Sequence, residues 1–240
     1  DGVELARFEQ TVRLWLGKPM VELSILLEPD EGALGSRPED YIGCRWAWPD
    51  EKSSFAAASG LCLQAHGSEE IEALELLQIR ERHLVADLLT HGLAFHRRVA
   101  PRMADTLLWA PGETERRHRL TIAVNLAHPI AAAWDHSWPV WTASVEKGPP
   151  AQGRTGWLAK VDSSNLLCSR LAPSGESAAV FRMAGTSGKS THGELRFCRA
   201  PVSARLVNAL GDLIYDLHPN PSGVSLDLAG SELIQLEASF

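Results

Sequence analysis

Apolar and polar side chains alternate along the first thirty residues. Phe8, Gln10, Val12, Leu14 and Leu16 fall on one side of an extended backbone, and Glu9, Thr11, Arg13 and Trp15 on the other. After Gly17-Lys18-Pro19 the alternation resumes, with Val21, Leu23, Ile25 and Leu27 opposing Glu22, Ser24 and Glu28. Successive strand side chains point to opposite faces, so the pattern predicts two half-buried strands. Gly and Pro between the two runs are turn chemistry. Such a hairpin implies a sheet stacked on another layer.

Further runs follow the same logic. Residues 30–40 form a polar loop, residues 41–48 (YIGCRWAW) read as a strand stopped by Pro49-Asp50, residues 53–60 are small and polar, and residues 61–65 are a short apolar run. Residues 68–90 carry two patterns at once. They lack Gly and Pro and place Ile71, Leu74, Leu77 and Leu84 near helical spacing, which reads as an amphipathic helix. They also divide into strands over 74–79 and 84–89 around the charged turn Arg80-Glu81-Arg82. Periodicity does not arbitrate between the two.

Residues 92–101 (GLAFHRRVAP) read as a loop rich in cationic donors, 103–109 as a strand, and 114–126 as a strand through Leu120, Ile122, Val124 and Leu126. Residues 128–141 are irregular and aromatic. Residues 147–156 hold two Pro and three Gly, the strongest linker signal in the chain. Beyond it, short runs at 157–161, 165–171, 178–183, 194–199, 204–210, 224–228 and 233–240 are spaced as in an antiparallel sandwich. The expectation is an all-β chain with a larger β-domain over 1–145, a linker over 146–156 and a smaller β-sandwich over 157–240.

Composition narrows the function classes. A length of 240 residues with 45% hydrophobic side chains suffices for one large β unit or two smaller ones. A net charge of −7 argues against nucleic-acid and acidic-membrane partners, which need a basic face. No run of about 18 apolar residues is present to span a membrane as a helix. The chain opens on Asp1 with a strand almost at once, which suggests a piece of a longer protein and leaves its compartment unread. Cys44, Cys62, Cys168 and Cys198 are far apart, without the Cys-x-x-Cys spacing of zinc or redox sites.

Several motifs invite chemistry. Residues 183–191 (MAGTSGKST) resemble a phosphate loop, but Met183 stands where the first Gly is required and a strand-like run follows. A Gly-rich hairpin turn accounts for them better. The nine histidines lack metal-ligand spacing. His96, Arg97, Arg98 and Arg102 form a local positive patch on an acidic chain, either solvated and ion-paired or donating to a polar ligand or adjoining domain. Trp134, Trp138 and Trp141 can stack on sugar rings or pack between domains. No Gly-x-Ser-x-Gly elbow occurs.

Taken in order, these stretches resemble a known family. RFEQTVRLWLGKPMVELSILLEPDE looks like the strand pair that opens the C-terminal β-region of glycoside hydrolase family 38 α-mannosidases, especially bacterial members. GLAFHRRVAPRMADTLL resembles a later segment of that region, and GWLAKVDSSNLLCSRLAP, VNALGDLIYDL and SLDLAGSELIQLEASF resemble its closing β-domain. The resemblance implies a galactose-mutarotase-like β-supersandwich followed by a small β-sandwich, and it moves residues 68–90 towards strands. It implies no catalytic residue, metal ligand or cofactor in this chain. The nucleophile and zinc of such enzymes belong to an N-terminal catalytic region, which becomes the expected partner within one polypeptide, with carbohydrate as the ligand. Arg97 and Arg98 match an Arg-Arg segment that lends an arginine to the sugar site, with His96 and Arg102 beside it. Here Val99-Ala100-Pro101 follows, where eukaryotic members have an acidic stretch. Two alternatives stand beside this reading. One is a self-sufficient carbohydrate-binding module using the tryptophans. The other is a mutarotase-like sugar epimerase using His83, His96 or His118 with a carboxylate.

Overall fold

The computed structural model describes residues 4–30, 32, 35, 40–138 and 157–240. The chain divides into two compact units, Asp1–Trp138 and Pro139–Phe240. The first contains β1 (Ala6–Leu14), β2 (Met20–Pro29), β3 (Ile42–Ala47), β4 (Ser54–Ser59), β5 (Cys62–Ala65) and β6 (Glu70–Glu72). It continues with β7 (Leu76–Glu81), β8 (Leu84–Leu89), β9 (Phe95–Ala100), β10 (Met103–Trp109), β11 (Arg117–Val124) and helix α1 (Pro129–Ser137). These build a seven-stranded sheet, β1-β2-β11-β8-β7-β4-β5, and a four-stranded sheet, β3-β10-β9-β6. The pairings are antiparallel.

The two sheets close on one core. Leu23, Ile25 and Leu27 of β2, Phe55 and Ala57 of β4, Leu77, Leu88 and Leu120 meet Ile71, Ala104, Leu108 and Trp109 from the smaller sheet. Each large side chain so buried contributes about 1.5–3 kcal/mol. The opening hairpin forms as its alternation predicts, with Gly17 at φ 77 in the turn. Its strands differ in burial, however. Phe8 pairs with Leu27 and Leu14 with Val21, yet Phe8 is 68% and Leu14 72% exposed. The core is built from β2 and the strands beyond it, and β1 contributes only Ala6 to its margin.

Residues 68–90 are strands and not a helix. Arg82, at φ 49, turns β7 into β8 in the middle of the larger sheet. Leu77 and Leu88 face the smaller sheet, whereas Leu76 and Leu89 pack with Ala58 under Ile130 and Ala133 of α1. Apolar residues on both faces erase the two-residue period, and that is why the local pattern could pass for a helix. Three expectations are corrected. Residues 95–100 form a strand and not a loop, because their backbone pairs with both β10 and β6. Small side chains in β4 fill a covered interior position, with Ala57 and Ala58 buried. The aromatic stretch after residue 128 is mostly helix, begun by Pro129 in the first turn and carried by three alanines.

The second unit contains β12 (Ala159–Val161), β13 (Leu166–Pro173), β14 (Ala178–Gly185), β15 (Thr191–Phe197), β16 (Ser203–Val207), β17 (Leu213–Leu217), β18 (Gly223–Leu228) and β19 (Leu233–Ser239). Its sheets are β12-β15-β18 and β13-β14-β19-β16-β17. Phe181, Met183 and Leu236 of one meet Leu195, Phe197 and Leu226 of the other, with the rings of Phe181 and Phe197 5.3 Å apart. The Gly-rich stretch with Gly188 at φ 67 carries the chain from β14 in one sheet to β15 in the other. It is therefore a crossover between sheets and not a hairpin, and a strand follows it where a phosphate loop needs a helix. The expected linker, 146–156, lies outside the described residues.

Candidate functional site

One charged rung crosses the whole smaller sheet on its outer face. Arg45 of β3 stands opposite Asp105 of β10, Asp105 opposite Arg97 of β9, and Arg97 opposite Glu70 of β6. Charges alternate in sign along it, the favourable cross-strand arrangement. Asp105 is only 3% exposed. It accepts hydrogen bonds from Arg45 Nε and Nη2 at 2.7 and 2.8 Å and from the Tyr41 hydroxyl at 2.8 Å. The Arg45 bond holds this carboxyl below its ordinary range, against the opposing effect of burial. Burial first, and then Asp105, raise the Tyr41 hydroxyl. The Arg97 guanidinium lies 5.6 Å from the Tyr41 ring centre and 3.7 Å from Glu70. A shallow cavity of about 500 Å³ opens over Tyr41, Arg45, Arg97 and Asp105.

The other members of the sequence-derived patch do not converge there. Arg98 pairs with Ala104 on the opposite face of the sheet, lies 5.8 Å from the Phe55 ring centre and donates to the Pro101 carbonyl at 2.9 Å. Arg102 donates to the Pro49 carbonyl at 3.0 Å and sits 3.9 Å from Glu51. His96 is 3% exposed in the interior. Trp46 Nε1 donates to Thr106 Oγ1 at 2.9 Å, and the same hydroxyl lies 3.0 Å from His96 Nδ1. His96 Nε2–H then donates to the Ala73 carbonyl at 3.1 Å. Burial lowers the pKa of this ring and outweighs its hydrogen bonds to the Ala73 and Leu93 backbone, which raise it. The alternation of β9 therefore sends Arg97 to one face and His96 and Arg98 to the other, and Arg102 lies beyond the strand.

Trp134 lies on α1 beside the small cluster formed by Ile130 and Ala133. Its ring stands 5.9 Å from that of Trp138, which is 61% exposed. Trp141 lies outside the described residues. His83 is exposed in the β7–β8 turn and His118 is buried in β11. Among the described residues, His83, His96 and His118 make no hydrogen bond to a carboxylate.

A second concavity lies on the outer face of the larger sheet, and the sequence reading did not assemble it. Three rungs cross β1, β2 and β11: Glu9–Leu26–Arg117, Thr11–Ser24–Arg119 and Arg13–Glu22–Thr121. The loop after β8 and the C-terminal end of α1 wall it with His91 and His136, enclosing about 640 Å³. His91 occupies the left-handed region at φ 52, an uncommon conformation for a side-chain-bearing residue. Its Nε2 lies 2.8 Å from Thr121 Oγ1. Burial is the main cause that lowers this histidine to about 4, with Arg119 and His136 adding to it and Glu22 opposing. Arg13 Nη1 donates to buried Glu22 at 3.1 Å. His136 Nδ1 donates to the Ala132 carbonyl at 3.0 Å, and the two histidine rings stand 6.1 Å apart. The only trace of this site in the sequence is the Arg117-x-Arg119 spacing, which sets two guanidinium groups on one face of a strand.

Among the described residues no group of three or more His, Cys, Asp or Glu is placed to hold a metal ion. The described residues therefore offer no zinc site. Burial pushes the Cys44 thiol up to about 11, which makes it a poor nucleophile.

No family model matches the sequence, and no curated protein does. Solved structures share the fold. A protein of glycosyl hydrolase family 38 from Enterococcus faecalis aligns with a TM-score of 0.71 over 96% of this chain and 29% of its own, at 8% identity. An α-mannosidase from Enterococcus faecalis V583 aligns with a TM-score of 0.71 over 96% of this chain and 28% of its own, also at 8% identity. The chain thus spans under a third of each of these proteins. At such identity the likeness is one of fold, an all-β architecture that makes up part of those larger proteins.

Proposed function

We propose that this chain is a non-catalytic β-region of a family 38-like α-mannosidase, supporting the sugar site of a catalytic region in the same polypeptide. The observation that carries this reading is the asymmetry of the fold match, which takes in nearly all of this chain and under a third of its counterparts. Arg97 is the sequence-derived residue best placed for the supporting role. It stands on an outer face over an open cavity, held by Tyr41 and Glu70, whereas His96 and Arg98 are turned inward. Zinc and the nucleophile belong, in this reading, to the catalytic region.

The test measures hydrolysis of an aryl α-mannoside by this chain alone and by the polypeptide that contains it. Activity is expected only in the longer protein, with KM raised by Arg97→Ala. Turnover by the chain alone overturns the non-catalytic role, and unchanged kinetics in the variant overturn the part given to Arg97. A stand-alone carbohydrate-binding module is the second reading, favoured by the exposed ring of Trp138. Calorimetry of the chain with mannose oligosaccharides separates the two, since saturable binding that Trp138→Ala abolishes supports the module.

A further inference from the structure

We infer that the basin over β1, β2 and β11 is a binding site for a small polar molecule carrying an oxyanion, phosphate or carboxylate, anchored by Arg119 and Arg117. Four observations converge on it. The cavity, about 640 Å³, lies within the ordinary range for small-molecule sites. Arg117 and Arg119 are two residues apart on one strand, so their side chains leave the same face roughly 7 Å apart. The hydroxyl residues Thr11 and Ser24 share the rung of Arg119 and supply donors for the ester or ring oxygens of a ligand.

The fourth observation is charge bookkeeping. Arg45, Arg97, Arg13, Arg196 and Arg205 each have a carboxylate within ion-pair distance. Neither Arg117 nor Arg119 makes a side-chain hydrogen bond or ion pair with a described residue, although the chain carries 30 acidic side chains against 23 basic ones. The ionisable residues lining the basin are Glu9, His91, Arg117, His118, Arg119 and His136, with Arg13 and Glu22 on the next rung and Glu115, which accepts from the Arg116 and Arg117 backbone, near Arg117. Glu22 is taken by Arg13, and His91 is held by Thr121. Glu9 stands on β1, across β2 from Arg117. What remains on the β11 side is two guanidinium forks with five donors each and no acceptor of their own. An oxyanion matches that geometry bidentately, and a neutral hexose does not. The inference is independent of the accessory role proposed above, since the basin and the Arg97 cavity lie on different sheets.

The test is calorimetric titration of the chain with inorganic phosphate, a hexose 6-phosphate, a hexuronate and the parent neutral hexose. At least one of the charged sugars is expected to bind tenfold or more tighter than the neutral one, about the contribution of one charge-assisted bidentate contact. Preference between phosphate and hexuronate tells which oxyanion is the natural one. Arg119→Gln is expected to cost about tenfold in affinity and Arg117→Gln several-fold. Arg82→Gln, in a remote turn, should change nothing. Raising the salt concentration should weaken binding. Equal binding of neutral and charged sugars, no saturation by any anion up to roughly 10 mM, or unchanged affinity in a folded Arg119→Gln protein overturns the inference.

Discussion

The two outer faces of the first unit use the same side chains to opposite effect. On the smaller sheet Arg45, Asp105, Arg97 and Glu70 stand on one rung of four strands, and each charge has its opposite next to it. On the larger sheet the residues directly opposite Arg117 and Arg119 on β2 are Leu26 and Ser24, which cannot neutralise them, and Glu9 stands one strand further on. Cross-strand register thus decides whether an arginine holds the fold together or stays open to a ligand. Burial sharpens the difference. Asp105 is sealed under Arg45 and Tyr41, so its partners are fixed, whereas Arg117 and Arg119 rise into an open basin.

The largest way to break this comparison is Asp105→Ala. It removes a buried acceptor of three hydrogen bonds and leaves the Tyr41 hydroxyl and the largely exposed Arg45 without their partner, and it should cost about 2 kcal/mol of unfolding free energy in urea titration. Arg119→Ala, the matched change on the other face, should stay within about 0.5 kcal/mol. Equal losses would mean that both faces are structural.

Acid separates the faces by pH window. His91 has its folded pKa lowered from 6.5 to about 4, so the unfolded chain takes up its proton first. Stability is complete above about 6.5 and falls as pH drops towards about 4. Because His91 is partly exposed the loss is about 1–2 kcal/mol, and His96 and His118 act in the same direction. Asp105 has its folded pKa lowered from 3.8, so its contribution is present above that value and is lost only below it. In denaturation measured across pH, His91→Asn should flatten the upper window alone, and Asn tolerates the left-handed backbone. Asp105→Asn should act on the lower one.

Smaller effects refine the picture. Thr121→Val leaves half-buried His91 Nε2 without its partner and should cost about 1 kcal/mol, read by thermal unfolding. Arg97→Ala breaks an ion pair whose Glu70 partner is largely exposed, and should cost under about 1 kcal/mol. A larger loss would show that the outer rung is cooperative beyond its Arg45–Asp105 pair.

Much of the fold was legible beforehand. The alternation of Val21, Leu23, Ile25 and Leu27 gave β2, and Leu120 with Ile122 gave β11, because one covered face imposes a two-residue period. β7 and β8 were ambiguous for the reverse reason. Leu76 and Leu89 are covered by the helix while Leu77 and Leu88 face the core, so leucines on both faces blurred the period. Of the candidate site, the residue types were legible and their grouping was not. His96, Arg97 and Arg98 are neighbours in sequence, yet alternation sends them to opposite faces. Arg45 and Asp105 are sixty residues apart and share a rung. The basin gathers β1, β2, β11, one loop and a helix end, and no local pattern reports such a gathering.

The sequence by itself determined which segments are extended, where the opening hairpin turns and which side of each amphipathic strand is apolar, since these follow from local sterics and from the two-residue period. Tertiary structure alone decided which apolar sides would be covered. Leu23 and Phe8 carry the same signal on the same face of one hairpin, yet Leu23 is buried and Phe8 is not, because the core begins at β2. It also decided which arginines would find a carboxylate. Pairing across strands depends on register between distant segments, and register is fixed only when the sheets close on a common core.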